Sequence, residues 1–164
     1  MVAGIAYDRD GHSQASMGVA AGDVTGDGRI DILLTDFFAA GNALYTLDES
    51  GVFQDVSREF GIHDASLSML GFGCQFADLD GDGWLDFFVT NGHVDRTTIR
   101  GGPDRMPPQL YRNNTGREFI DTPPTELGPF FQRGYLGRAL ALWTGTGTAG
   151  PTSPFRICTT RSPL

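Results

Sequence analysis

The stretch that decides the fold is Asp78-Leu79-Asp80-Gly81-Asp82-Gly83-Trp84-Leu85-Asp86. Its aspartates occupy positions 1, 3, 5 and 9 of a nine-residue loop, and glycines stand at positions 4 and 6. Alternate positions of a tight loop direct their ligands inward, and Ca²⁺ prefers about six to eight oxygen ligands. Glycine allows the backbone conformations that such a turn requires. The spacing predicts a Ca²⁺ site formed by Asp78, Asp80, Asp82, the carbonyl group of Trp84, and Asp86.

The same pattern occurs earlier, in Asp23-Val24-Thr25-Gly26-Asp27-Gly28-Arg29-Ile30-Asp31. It predicts a second Ca²⁺ site, formed by Asp23, Thr25, Asp27, the carbonyl group of Arg29, and Asp31. Thr25 offers a neutral hydroxyl where the other loop has a carboxylate, so we expect weaker binding here. Asp-Gly runs also form ordinary turns. Turn formation alone requires neither the aspartate at position 9 nor the repetition.

An EF-hand is the competing interpretation of these loops. Its loop begins similarly but needs a glutamate at position 12 and a helix on each side. Position 12 is Leu34 in the first loop and Val89 in the second. Residues 30–35 and 85–90 are short runs rich in β-branched or aromatic residues, which is typical of strands. These observations exclude the EF-hand.

The similarity between the two loops extends outward, which indicates an internal repeat. Residues 16–22 align with residues 71–77 at an offset of 55 positions. After the loops, residues 42–45 and 52–56 align with later residues at an offset of 66, so an insertion lies within residues 93–107. That insertion is rich in glycine, proline and arginine and predicts a surface loop. Each repeat contains four short strands, the content of one propeller blade.

The fold class predicted from this repeat is all-β, a β-propeller fragment with two four-stranded blades and the start of a third. The blades cover about residues 14–67 and 68–134, and the third begins at about residue 135. We assign residues 1–141 to this repeat domain. About three repeats are normally needed for a stable stack. We therefore interpret the chain as a fragment of a longer propeller.

The pattern stops after Trp143. The offset places a third loop at position 144, but no aspartate or glutamate follows Trp143. The genetic code permits a repair of this pattern. If the DNA is read in the alternate frame that starts at the last base of the Trp143 codon, the codons can encode aspartates at positions 144, 146, 148 and 152. We interpret residues 142–164 as a frameshifted or disordered tail. A natural unstructured tail is the alternative.

Composition limits the classes of function. The chain has 164 residues, 40% of them hydrophobic, which is typical of a globular protein. A net charge of −8 argues against a nucleic-acid partner. The sequence shows neither a membrane span nor a signal peptide. The two cysteines, Cys74 and Cys158, lack the spacing of a zinc site. Cys74 is expected to be a core residue that lies in a strand.

An enzyme would need an acid and a base in one cleft, and the chain has three histidines. His12 belongs to an aspartate-rich segment that predicts a turn rather than a third cation loop. His63 is expected to be exposed in a connection between strands. His93 follows a strand and is the one histidine that merits a test for catalysis.

Several phrases carry a family resemblance: QASMGVAAGD at residues 14–23, LGFG at 70–73, NGHVD at 91–95 and PPQLYRN at 107–113. They resemble FG-GAP/VCBS β-propeller repeats, and among these the bacterial and animal proteins similar to cartilage acidic protein, which often end in an ASPIC/UnbV domain. The resemblance covers about residues 4–141. It implies that both aspartate loops are Ca²⁺ sites.

The resemblance also implies an extracellular or periplasmic location and a non-catalytic role in binding or adhesion. The partners it implies are an unknown protein or carbohydrate ligand and the remaining propeller blades of the full-length chain. The alternative is a fragment of a propeller-based polysaccharide lyase or hydrolase whose catalytic residues lie on other blades.

Overall fold

The structure is a computed structural model, and it describes residues 4–5, 7–94 and 102–141. The interpretation of residues 142–164 as a frameshifted or disordered tail therefore lies outside the described residues, as does Cys158. Part of the insertion within residues 93–107 also lies outside them.

The described residues are mostly β, with strands and two short helices. In chain order these elements are β1 Gly18–Gly22, β2 Asp31–Thr35, β3 Ala43–Leu47, β4 Phe53–Asp55, α1 Ile62–Ser66, β5 Gly71–Ala77, β6 Asp86–Asn91, β7 Gln109–Asn113, β8 Phe119–Asp121 and α2 Pro124–Leu127.

The strands form two antiparallel sheets of four strands each, in the orders β1-β2-β3-β4 and β5-β6-β7-β8. Each sheet is a meander in which neighbours in sequence pair, as in a propeller blade. The repeat alignment predicted this correspondence, because an offset of 66 positions maps β3 onto β7 and β4 onto β8. The predicted all-β fold with two four-stranded blades is confirmed.

The main hydrophobic core lies between the two sheets. The first sheet contributes Leu33 and Leu44, which neighbour each other in the pairing of β2 with β3. The second contributes an aromatic group in which the Phe87 and Tyr111 rings stack with centroids 4.3 Å apart, and Phe119 meets Phe87 edge-on. Strand alternation produces this arrangement, since every second side chain of a strand faces the same side.

Residues 135–141 lie against the second sheet as β5 lies against the first. The N–H of Gly71 donates to the carbonyl of Asp36 at 3.0 Å, and the N–H of Gly137 donates to the carbonyl of Asn91 at 2.9 Å. The two pairs are related by the repeat offsets. A Cβ on Gly73 would lie 2.5 Å from the backbone nitrogen of Leu140, so this approach requires glycine.

The helices α1 and α2 were not expected from the sequence. In α1, Ile62 is fully buried and the Ser66 hydroxyl donates to the Ile62 carbonyl at 2.8 Å. The helix forms because its turn buries Ile62, and tertiary packing overrides a sequence that reads as a connection. His63 lies in α1 with 22% of its side chain exposed, so it is less exposed than predicted. Among the described residues, no helix has the length and apolar character needed to span a membrane.

Candidate metal centre

The second aspartate loop connects β5 to β6 and ends at Asp86, the first residue of β6. The Asp78 carboxylate organises its turn by accepting hydrogen bonds from the N–H groups of Gly81 at 2.7 Å and Gly83 at 3.0 Å. Both glycines have positive φ angles, 82° and 92°. The loop therefore folds around the carboxylate of its first residue.

Asp86 is the buried member of this loop, with 1% of its surface exposed. Its two carboxylate oxygens accept hydrogen bonds of 2.9 Å, one from the N–H of Leu79 and one from the N–H of Asn113. Burial raises the pKa of Asp86, and the charges of Asp80 and Asp82 raise it further, although both hydrogen bonds lower it. A bound cation would relieve the cost of holding these negative charges together.

Three carboxylates of the loop converge. Asp78, Asp80 and Asp86 each offer an oxygen, and these oxygens all lie within 4.8 Å of one another. The predicted ligand Asp82 is outside this group, and its Oδ1 accepts the N–H of Trp84 at 2.8 Å. An all-oxygen set of carboxylates suits a hard cation such as Ca²⁺ or Mg²⁺. Each oxygen can accept an N–H and still present a lone pair, so the residues fit the predicted cation.

The first aspartate loop folds in the same way. Asp23 accepts hydrogen bonds from the N–H groups of Gly26 at 2.7 Å, Asp27 at 3.1 Å and Gly28 at 2.8 Å. Burial raises the pKa of Asp23, but these hydrogen bonds outweigh burial, so its pKa lies below the usual value. Asp31 is fully buried, like Asp86, and burial raises its pKa.

Thr25 lies between the two carboxylates at the ends of this loop. Its hydroxyl is 3.4 Å from an oxygen of Asp23 and 3.4 Å from an oxygen of Asp31. The structure thus brings three predicted ligands together, but one of them is neutral.

The Arg29 side chain distinguishes the first loop from the second in a way that the sequence did not reveal. Its guanidinium donates to the Asp27 carboxylate at 2.5 Å, and its Nε donates to the carbonyl of Leu47 at 2.7 Å. The side chain therefore neutralises Asp27, a predicted ligand. No group of three acidic or histidine ligands forms in the first loop, whose residues are all described.

A further group lies in the turn formed by residues 8–12. Ligand atoms of Asp8, Asp10 and His12 lie within 4.8 Å of one another. The Asp8 carboxylate accepts the N–H of His12 at 2.7 Å, and Asp10 forms an ion pair with Arg58 at 2.9 Å. The sequence predicted the turn but not the approach of these three side chains. The ion pair with Arg58 reduces the negative charge available to a cation here.

Asn113, the last residue of the phrase at 107–113, contacts both aspartate loops, which sequence reasoning did not predict. Its N–H donates to Asp86, and its side-chain amide donates to the carbonyls of Val24 at 2.9 Å and Leu85 at 3.1 Å. Its repeat equivalent, Leu47, likewise donates its N–H to Asp31 at 3.4 Å, but it has no side-chain amide, so comparison of the repeats carries no signal for the side-chain contacts.

Among the comparisons with known proteins, a family model supports the repeat. No curated protein sequence matches the chain. The solved structure of a "putative exo-beta-1,3-galactanase" from Bifidobacterium bifidum is 12% identical, with a TM-score of 0.48 over 88% of this chain. The matched region spans 46% of that protein's chain. Residues 23–89, which contain both aspartate loops, match the family model of the FG-GAP-like repeat.

Proposed function

We propose that the chain is a Ca²⁺-binding propeller module in which residues 78–86 bind the cation more tightly than residues 23–31. The convergence of Asp78, Asp80 and Asp86 carries this proposal. The first loop offers a neutral hydroxyl at Thr25, and Arg29 already neutralises Asp27. Loss of one ligand charge weakens Ca²⁺ binding by about tenfold, or ~1.4 kcal/mol.

Calorimetric titration of the full chain with Ca²⁺ tests this proposal. Asp80→Asn keeps an oxygen ligand but removes a charge, so we expect it to weaken the tighter site about tenfold. Glu49→Gln removes a charge from an exposed position outside both loops and should leave both affinities unchanged. The assignment is contradicted if the titration shows no heat of Ca²⁺ binding, or if Asp80→Asn binds Ca²⁺ with the same affinity as wild type.

We further propose that the module is non-catalytic and acts outside the cytoplasm by binding a protein or carbohydrate. Support comes from the FG-GAP-like repeat and from the sequence resemblance to proteins similar to cartilage acidic protein. Extracellular Ca²⁺ modules bind with dissociation constants of about 10⁻⁴–10⁻³ M. The same titration therefore bears on the location, since a constant near 10⁻⁷ M is typical of intracellular sensors.

A further propeller blade is the partner that best suits the first sheet. Val19 of β1 is 62% exposed, whereas its repeat equivalent Cys74 in β5 is 7% exposed, because β5 faces the first sheet. The neighbouring positions of this face include Ile32 and Leu34, which are apolar. We propose that another blade covers this face in the complete protein. In a longer natural chain, we expect the backbone amides of β1 to exchange their hydrogens with solvent more slowly than in this chain.

A further inference from the structure

The two aspartate loops are connected by a continuous chain of hydrogen bonds. Asp86 of the second loop accepts the N–H of Asn113 at 2.9 Å, and the Asn113 side-chain amide donates to the Val24 carbonyl at 2.9 Å. The Val24 N–H then donates to Asp31 of the first loop at 3.0 Å. The chain therefore joins the ninth-position aspartates of both loops through Asn113 and Val24.

Burial makes this connection stiff. Asp86, Asn113, Val24 and Asp31 are each at most 4% exposed. The Asn113 side chain also accepts the N–H of Gly116 at 2.8 Å, so both ends of its amide are engaged. Hydrogen bonds shielded from water are stronger than exposed ones, and a buried group that loses its partner is costly. Buried hydrogen bonds through Asn113 therefore link Asp86 to Val24.

Trp84 forms a second connection between the loops. A Cβ on Gly26 of the first loop would lie 2.8 Å from the Trp84 ring. A Cβ on Gly116 would lie 2.6 Å from the same ring and 2.7 Å from the carbonyl oxygen of Thr25. The indole ring is thus packed against two glycines, one of which belongs to the first loop. The Trp84 carbonyl is a predicted ligand of the second loop, so one residue contacts both sites.

We propose that Asn113 and Trp84 are positioning residues that couple the two loops, so that a cation in the second loop raises the Ca²⁺ affinity of the first. This inference rests on the proposed function. A cation held by Asp86 and the Trp84 carbonyl restrains both residues, and they in turn restrain Val24 and Gly26. The first loop then loses less conformational freedom when it binds its own cation. Coupling is reciprocal, so the first cation strengthens the second equally.

Repulsion between two divalent cations opposes this coupling, and salt screens it only in part, because Asp31 and Asp86 are buried. Couplings between sites typically change affinity by about 5- to 150-fold. We expect a value at the lower end of that range, about fivefold, because the connection is short and involves one hydrogen-bond chain and one ring contact.

Amide NMR titration of the full chain with Ca²⁺ measures each loop separately. Gly28, where an added Cβ would meet nothing within 4 Å, donates to Asp23 of the first loop, and Gly81 and Gly83 donate to Asp78 of the second, so their resonances report the two sites. The second loop is disabled with a double variant, Asp78→Asn and Asp80→Asn. The coupling is the ratio of first-loop dissociation constants with the second loop disabled and intact.

The coupling ratio should be about five in the wild type and below two in Asn113→Leu. This variant introduces the residue of the repeat equivalent, Leu47, and keeps the backbone N–H that binds Asp86. Trp84→Phe should also lower the ratio. Asn114→Ala is the matched control, because the Asn114 side chain bonds to Glu118 and not to a loop. A purely structural role would lower stability and both affinities but would leave the ratio unchanged.

The possible results separate the two proposals. Glycine resonances that do not respond to millimolar Ca²⁺ overturn both the proposed function and the coupling. Normal binding with a wild-type ratio of one overturns the coupling alone. A ratio that persists in both Asn113→Leu and Trp84→Phe overturns the assignment of these residues. If Asn113→Leu does not fold, Trp84→Phe decides: a reduced ratio supports the coupling and an unchanged ratio overturns it.

Discussion

Replacing Gly26 with alanine tests the contact between the two aspartate loops. Gly26 has a φ angle of 75°, and a Cβ there would lie 2.8 Å from the Trp84 ring. A left-handed backbone costs a residue with a Cβ about 1–2 kcal/mol. Displacing the packed indole ring costs about 1–3 kcal/mol more. We therefore expect Gly26→Ala to lower the free energy of unfolding by about 2–5 kcal/mol.

Gly28→Ala is the matched control for this change. Gly28 has a φ angle of 84°, and a Cβ there would meet none of the described atoms within 4 Å. Its N–H donates to Asp23, as the N–H of Gly26 does. Gly28→Ala should therefore cost only the backbone contribution, about 1–2 kcal/mol. Gly81, the repeat equivalent of Gly26, has a φ angle of 82° and similar free space, so Gly81→Ala should match the control.

Urea unfolding followed by circular dichroism, with Ca²⁺ and with chelator, measures these differences. Adding Trp84→Phe to Gly26→Ala removes the ring atoms that the new Cβ would meet. The double variant should therefore be at least about 1 kcal/mol more stable than additivity predicts. Equal losses for Gly26→Ala and Gly28→Ala, or strict additivity of the double variant, would refute the contact between Gly26 and Trp84.

Three further predictions concern the first loop and the buried thiol. Thr25→Asp adds a charged ligand and should raise Ca²⁺ affinity of the first loop about tenfold in a calorimetric titration; no gain would contradict its place among the ligands. Arg29→Gln releases Asp27 from its ion pair and should raise the Ca²⁺ affinity of the first loop in the same assay. An affinity equal to or below that of wild type would contradict competition between the guanidinium and the cation. Burial raises the pKa of Cys74 to about 12, so a Cys158→Ser variant should react with a thiol reagent at pH 8 only after denaturation, and rapid labelling of the native protein would show the thiol to be accessible.

The strands and loops were predictable because their signals are local. The ligand spacing of residues 78–86 lies within nine positions, and the same spacing recurs at residues 23–31. Strand alternation and turn residues on either side then placed β3, β4, β7 and β8 in the right register of the repeat. Each of these patterns depends on a few neighbouring residues, so propensity and periodicity are sufficient to detect it.

The details of the candidate sites were less predictable. The sequence predicted Asp82 as a metal ligand equivalent to the other aspartates of its loop, whereas the structure brings Asp78, Asp80 and Asp86 together. The position of the Arg29 side chain depends on a carbonyl in β3, and its preference for Asp27 follows from that placement. Side-chain rotamers and their partners are determined by packing, which a spacing rule does not describe.

The sequence by itself determined the strand content, the two aspartate loops and the repeat, because these follow from short-range order along the chain. Only the tertiary structure decided which residues join the loops. Asn113 and Val24 are 89 positions apart, and their hydrogen bond exists because the two sheets pack face to face. The helix α1, which contacts β3 of the first sheet and β8 of the second, has the same origin. Contacts at such separations depend on how the sheets pack, and a single sequence carries no local pattern for that.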